Sequence, residues 1–168
     1  EKLMVFMIDH FGNEATDVGN ANWVYKQHDL IRQYALGNYK SLVDAITKDY
    51  AMLRYLNGYL NVASAPDENY GREMLELFTL GKGPDSKYTE NDVKEAARAF
   101  TGWAFNAKGE FLFRKNQHDD GSKTFLGRTG NYDGDDILNI LLENKQTANF
   151  ISKKIYRYFV NENVDEAN

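Results

Sequence analysis

The chain has 168 residues, a formal net charge of −5 and no cysteine. Its hydrophobic fraction of 42% and charged fraction of 27% are typical of a folded globular domain. The negative charge gives no electrostatic help to nucleic-acid binding, and the missing cysteines exclude disulfides and thiolate chemistry within this sequence. No apolar run approaches the roughly 18 residues of a membrane span. We therefore expect one helical domain over residues 1–168, with no nucleic-acid partner and no membrane span.

The first half of the sequence predicts helices joined by polar loops. Residues 2–11 are typical of the end of a buried helix, and residues 12–20 of a loop with two glycines. Three amphipathic helices are predicted at 22–36, 39–47 and 52–60. Because the apolar helical pattern is present from the start, we expect the chain to be a fragment of a longer protein, with any signal peptide upstream.

Residues 66–80 predict the helix that carries most of the chemistry. Tyr70, Met74, Leu77 and Phe78 occur at i, i+4, i+7 and i+8, which is one apolar stripe. The opposite face is predicted to be polar and carries Asn69, Arg72, Glu73, Glu76 and Thr79.

The next helix has a clear start signal. Thr89 is a good N-cap and Asp92 stands at N3, as in a capping box. The small pair Ala96 and Ala97 on its buried side would let a neighbouring helix approach closely.

Beyond residue 104 the hydrophobic period changes. Phe105, Phe111 and Phe113 alternate with polar residues around Lys108-Gly109, which predicts a β-hairpin within residues 104–127. Helices resume near residues 135 and 147. The fold class is therefore mainly α, with about seven helices and one small β excursion.

Two carboxylates are the first candidate catalytic groups. Glu73 and Glu76 share a helix face with Asn69, because spacings of three and four residues return side chains to one side. Such a pair can share a proton, bind a hard divalent cation or divide acid and base roles. The alternative is a solvated face with an Arg72–Glu76 ion pair.

The three histidines have different contexts. His10 follows Asp9 at the end of an apolar helix, so the pair is a candidate metal site, although such a histidine more often bonds a loop carbonyl. His118 and Asp119 open a polar loop and are candidate catalytic residues, with turn formation as the alternative. His28 is expected to be structural.

A calcium-loop spacing at residues 131–135 does not hold. Asn131, Asp133 and Asp135 have the 1, 3, 5 spacing, but the sixth position is Asp136 and the twelfth is Leu142. Asp133 or Asp135 is expected to cap the following helix instead.

Several motifs resemble one bacterial family, domain of unknown function 1800 (DUF1800). The motifs, in chain order, are Met52-Leu-Arg-Tyr-Leu56, Asn69-Tyr-Gly-Arg-Glu-Met-Leu-Glu-Leu-Phe-Thr-Leu-Gly81, Tyr88-Thr89, Glu95-Ala-Ala-Arg-Ala-Phe-Thr-Gly-Trp103, His118-Asp119, Lys123-Thr-Phe-Leu-Gly127, Gly134-Asp-Asp-Ile137, Phe150-Ile151 and Phe159-Val160. The candidate binding residues within them are Asn69, Arg72, Trp103 and Lys123. The resemblance implies an exported protein, often encoded beside a sulfatase-like family, and it brings no known activity.

The sequence departs from this family near its start. Where the family tends to show Trp-His-Asn-His-Phe, this chain has Met7-Ile8-Asp9-His10-Phe11. A two-histidine metal site could not be complete here.

Two functional hypotheses follow. The first is a hydrolytic or metal-assisted site in which the helix carboxylates, His10 and the His118-Asp119 loop meet in one pocket, with a divalent cation as the possible cofactor. The second is a non-catalytic module that binds a glycan or protein partner through an aromatic surface formed by Trp23, Tyr25 and Tyr59.

Overall fold

The computed structural model describes residues 1–162, and helices dominate them. The mainly α fold class is confirmed. The α-helices of this part of the chain are α1 Lys2–His10, α2 Ala15–Val18, α3 Ala21–Tyr34, α4 Tyr39–Thr47, α5 Tyr50–Tyr55, α6 Glu68–Glu73, α7 Glu90–Ala99, α8 Gly134–Glu143 and α9 Lys145–Phe159. Short 3₁₀ turns lie at Gly58–Leu60 and Lys115–Gln117.

One hydrophobic core joins most of these helices. It includes Phe6 of α1, Ile46 of α4, Met74 after α6, Phe100 after α7 and Leu141 of α8, all 4% exposed or less. Burying such large side chains is the main favourable contribution to folding, at about 1.5–3 kcal/mol each.

Helix α6 continues directly into a π-helical segment, Met74–Thr79. The Leu80 N–H donates to the Leu75 carbonyl, five residues earlier. This wider turn rotates the side chains that follow it relative to those of a regular α-helix. The apolar stripe was predicted with a 3.6-residue period, which holds only in a regular α-helix. The prediction is therefore wrong at two positions: Leu77 is 43% exposed, whereas Thr79 is fully buried.

Contacts from distant elements hold the end of the π-helical segment. The Tyr39 hydroxyl donates to the Phe78 carbonyl at 2.6 Å, and the Gln146 amide donates to the Leu80 carbonyl at 3.1 Å. Carbonyls at a helix end have no partner inside the helix, so these side chains satisfy groups that would otherwise be buried and unpaired.

Helix α7 packs closely on α6, and both local predictions there are confirmed. A Cβ on Gly71 would lie 3.1 Å from the backbone nitrogen of Ala97 and 3.4 Å from Ala96, so the two helices meet where side chains are smallest. At the start of α7, Thr89 and Asp92 form the predicted capping box.

Two antiparallel hairpins interrupt the helices after α7. Strands β1 Trp103–Phe105 and β2 Phe111–Phe113 form the predicted hairpin, with Trp103 opposite Phe113. Strands β3 Lys123–Phe125 and β4 Arg128–Gly130 form a second hairpin that we did not predict. Its turn is Leu126-Gly127, and Leu126 has φ 46°, a conformation that leucine seldom adopts, so only Gly127, at φ 76°, is a usual turn residue.

Some predicted boundaries are also wrong. The loop predicted at 12–20 contains α2, and the helix predicted at 52–60 ends at Tyr55, because Asn57 turns left-handed at φ 59° before the 3₁₀ turn. Asp133 caps α8, as predicted, in a capping box with Asp136. Within residues 1–162, no helix combines the length and apolarity needed to cross a membrane.

Candidate functional site

A cleft of about 360 Å³ lies between α1, α5 and α6. It brings together four of the predicted site residues, Asp9, His10, Asn69 and Glu73. The lining is completed by Gly12, Tyr55, Leu56, Leu77 and Phe78. Contacts of His10 and Phe11 with Phe78, in the π-helical segment that continues α6, thus bring together groups that are some sixty residues apart in sequence.

Glu73 is the candidate acid or base of this cleft. Its side chain is half-buried and forms no hydrogen bond or ion pair with any residue that the structure describes. Burial raises the pKa of Glu73 above its ordinary value, and the neighbouring Glu76 charge raises it further, while Lys82 and Arg72 act in the opposite direction. A carboxyl with a raised pKa can keep a proton and donate it at a pH where an ordinary glutamate is ionised.

Asn69 and Asp9 provide the other polar groups. The Asn69 side-chain N–H₂ donates to the Leu56 carbonyl at 3.0 Å, which fixes the orientation of the amide. No hydrogen bond to the Asp9 carboxylate occurs among the described residues, so its oxygens are available as acceptors in the cleft.

His10 is tied to its neighbours through both ring nitrogens. The Tyr39 hydroxyl uses its proton on the Phe78 carbonyl, so His10 Nε2 is the donor in the 2.9 Å contact with Tyr39. Its Nδ1 then accepts from Lys154 Nζ at 2.9 Å. Burial, with the Lys154 charge, lowers the pKa of His10 to about 3. The ring is therefore neutral, and both of its nitrogens have hydrogen-bond partners.

No group of three histidine, aspartate or glutamate side chains is placed to hold a metal ion within residues 1–162. The metal role of Asp9 and His10, and the divalent cation itself, stay predictions. Tyr39 and Lys154 were missed by sequence reasoning, because a lysine 144 residues from His10 leaves no local signal.

Glu76 does not line the cleft, although it is only three residues from Glu73. Lys82 Nζ lies 2.8 Å from its carboxylate, and Arg72 lies 3.6 Å away. Burial alone would raise the pKa of Glu76, but hydrogen bonds from Lys82 and Tyr88 outweigh it and the net shift is downward. The predicted Arg72–Glu76 pair is present, and Arg72 also binds Glu90 at 2.7 Å.

The His118-Asp119 loop lies at a different cavity. Arg98 binds Asp119 through two hydrogen bonds of 2.7 and 3.1 Å. These bonds lower the pKa of Asp119 to about 2. Lys123 is 1% exposed and its Nζ donates to the carbonyls of Asp119 and Gly121. Asp119 and Lys123 therefore stabilise the conformation of the loop. The sequence predicted one pocket, but Glu73 and His10 line one cavity and His118 lines another.

The predicted aromatic surface is also divided. Trp23 stacks on Tyr50 with ring centroids 4.6 Å apart, and Lys26 Nζ lies 4.1 Å from the Trp23 ring. Tyr59 packs on Phe105 at 5.0 Å. Tyr50 and Phe105 are themselves 4.2 Å apart, so Trp23 and Tyr59 belong to one half-buried series of rings, whereas Tyr25 is 66% exposed. Trp103, a candidate binding residue, is 3% exposed and belongs to the core.

The structure thus defines a mainly helical domain with an acidic cleft at the junction of α1 and α6. A family model described as a protein of unknown function (DUF1800) matches residues 1–168. The chain therefore belongs to this family, as its motifs indicate. No curated protein and no solved structure matches the chain.

Proposed function

We propose that the cleft between α1 and α6 is a hydrolytic site in which Glu73 acts as the general acid. The observation that carries this proposal is the half-buried, unpaired Glu73 carboxyl, whose pKa is raised by burial, facing a cleft that also contains Asp9. Proton donation by a positioned carboxyl contributes about 10²–10⁴-fold to a reaction rate.

The roles follow from the environments of the cleft residues. Protonated Glu73 donates its proton to the leaving group of the substrate, and the Asp9 carboxylate accepts a proton from the attacking water. Asn69, whose side-chain nitrogen donates to the Leu56 carbonyl, orients the substrate through its amide oxygen. Leu56 and Phe78 are buried beside these groups and reduce the access of bulk water.

The test is an activity screen with chromogenic esters, phosphate esters and glycosides, followed by Glu73→Gln. We expect the variant to lose about 10²–10⁴-fold in kcat/KM on any substrate that is turned over. The matched control is Glu143→Gln, an exposed glutamate on α8, which should keep full activity.

Measuring the pKa of Glu73 is a second test of the proposal, and it does not need a substrate. Carbon-13 NMR of the side-chain carboxyl should show a pKa above the ordinary glutamate value of 4.5. A value at or below the ordinary one removes the basis of the proposal, and so does turnover that is equal in Glu73→Gln and the wild type.

Export is proposed on the family resemblance alone. Fractionation of cells that express the full-length protein tests it, and a protein confined to the cytoplasmic fraction contradicts it. The non-catalytic alternative is a module that binds a glycan or protein partner through Trp23, Tyr25 and Tyr59; Trp23 and Tyr59 are half-buried in ring contacts with Tyr50 and Phe105, and Tyr25 is exposed.

A further inference from the structure

A second cavity, of about 120 Å³, lies where the first hairpin, the following loop and the start of α8 meet. Its lining is five polar side chains and one aromatic ring. These residues are Phe113, Lys115, His118, Asp120, Asn131 and Asp133. None of them lines the Glu73 cleft.

The tautomer of His118 follows from its neighbours. Its Nδ1 lies 2.9 Å from the Thr101 carbonyl oxygen, which can only accept a hydrogen bond. The Thr101 hydroxyl, 3.3 Å from the same nitrogen, already donates to the Arg98 carbonyl. Nδ1 therefore carries the proton, and in the neutral ring Nε2 carries the free lone pair.

The cavity offers further hydrogen-bonding groups that have no partner in the described part of the chain. The side chains of Lys115, Asp120 and Asn131 form no hydrogen bond there, and Asp133 uses only Oδ1, which accepts from the Asp136 N–H at 3.1 Å. The cavity therefore has four acceptor groups, which are His118 Nε2, the two carboxylates and the Asn131 amide oxygen. Its two donor groups are the Lys115 ammonium and the Asn131 amide nitrogen.

The surrounding structure fixes the loop that carries His118, and it fixes Asp133 at the start of α8. Arg98 binds Asp119, and the Asp119 N–H donates to the Thr101 hydroxyl at 2.8 Å. The ammonium group of Lys123, which is almost fully buried, donates hydrogen bonds to two carbonyls of the loop. The α8 capping box fixes Asp133. Because a preorganised site loses less conformational entropy on binding, this rigidity favours ligand recognition.

We propose that this cavity binds one neutral sugar residue, such as the end of a glycan chain. Sugar hydroxyls donate to His118 Nε2 and to the carboxylates, and accept from Lys115 and the Asn131 amide. The Phe113 ring, 39% exposed and 5.2 Å from the His118 ring, supplies an apolar surface for the sugar C–H groups. Two carboxylates against one lysine disfavour an anionic ligand, and the volume is below that of a site for a drug-sized ligand.

NMR titration of the chain with N-acetylglucosamine, methyl glucoside and methyl galactoside tests this proposal. With at least one sugar, the ring signals of His118 and Phe113 and the side-chain amide of Asn131 should shift saturably at millimolar concentration. Phe113→Leu, which keeps an apolar side chain on β2, should weaken binding about tenfold. The matched control, Tyr25→Leu, removes an exposed aromatic ring elsewhere and should bind like the wild type.

Three outcomes overturn the proposal. The first is the absence of saturable shifts with every sugar, including the case in which zinc or inorganic phosphate shifts the His118 signals instead. The second is equal affinity in Phe113→Leu and wild type. The third is a nitrogen-15 spectrum that places the proton of the neutral His118 ring on Nε2. Because Glu73 lies outside this cavity, these results do not depend on the proposed hydrolytic site.

Discussion

Replacing His10 with glutamine should remove much of the acid sensitivity of the fold. The His10 ring is 6% exposed, and burial and Lys154 lower its pKa from 6.5 to about 3. The folded protein therefore binds the proton less readily than the unfolded chain does. The stability due to neutral His10 is fully present above pH 6.5, and it is lost progressively as the pH falls toward the folded pKa.

The size of the effect follows from the linkage relation. At pH 5 the pH is 1.5 units below the pKa of 6.5 that His10 has in the unfolded chain. Protonation of the unfolded chain therefore lowers the free energy of unfolding by about 2 kcal/mol. This figure depends little on the folded pKa, because pH 5 is far above it. Glu73 and Asp49 have raised pKa values and act in the opposite direction, so only the difference between wild type and variant isolates His10.

Urea denaturation of both proteins at about pH 7.5, 6 and 5 measures this difference. The glutamine variant should be less stable than the wild type at pH 7.5, since it loses the contacts with Tyr39 and Lys154. The gap should then narrow by about 2 kcal/mol by pH 5. The control is His28→Gln, at a half-exposed position. Parallel curves for the wild type and His10→Gln would refute the reasoning, because a neutral buried ring would then make no pH-dependent contribution.

Two further predictions concern stability. Thr89→Ala removes the capping box of α7 and should destabilise the fold by about 1 kcal/mol in urea denaturation. Thr89→Ser keeps the hydroxyl and should not destabilise it. Equal losses of stability in the two variants would contradict the capping role. Gly134→Ala places a Cβ 2.4 Å from the buried Trp103 indole and should lower the stability by about 1–3 kcal/mol. Asn139 is exposed on the same helix, so Asn139→Ala should cause no clear change. An unchanged melting temperature in Gly134→Ala would contradict this packing.

Features set by near neighbours in sequence were predictable. Thr89 and Asp92 are three residues apart, so the capping box could be predicted from their types alone. The first hairpin followed from the alternation of Phe111 and Phe113 and from Gly109, whose φ is 76°. In each case the determining groups lie within one short window of the sequence.

Features set by distant contacts were not predictable. The π-helical segment ends on bonds from Tyr39 and Gln146, which lie 39 and 66 residues from their acceptors. No periodicity within the segment contains that information. For the same reason, sequence spacing placed Glu73 and Glu76 on one face as equal candidates and gave no sign that Lys82 would bind only the second.

The separation of these two glutamates is what makes one of them a candidate acid. Lys82 and Tyr88 hold Glu76 in its ionised form, so its negative charge persists near neutral pH. That charge is the second cause of the raised pKa of Glu73, after burial. Lys82 and Arg72 lower the pKa of Glu73 at the same time, so burial in the cleft is the main reason that its pKa is raised. Opposite environments for neighbouring carboxyls are a general way to divide acid and base roles, and here they arise because the cleft buries Glu73 while Lys82 binds Glu76 in the π-helical segment.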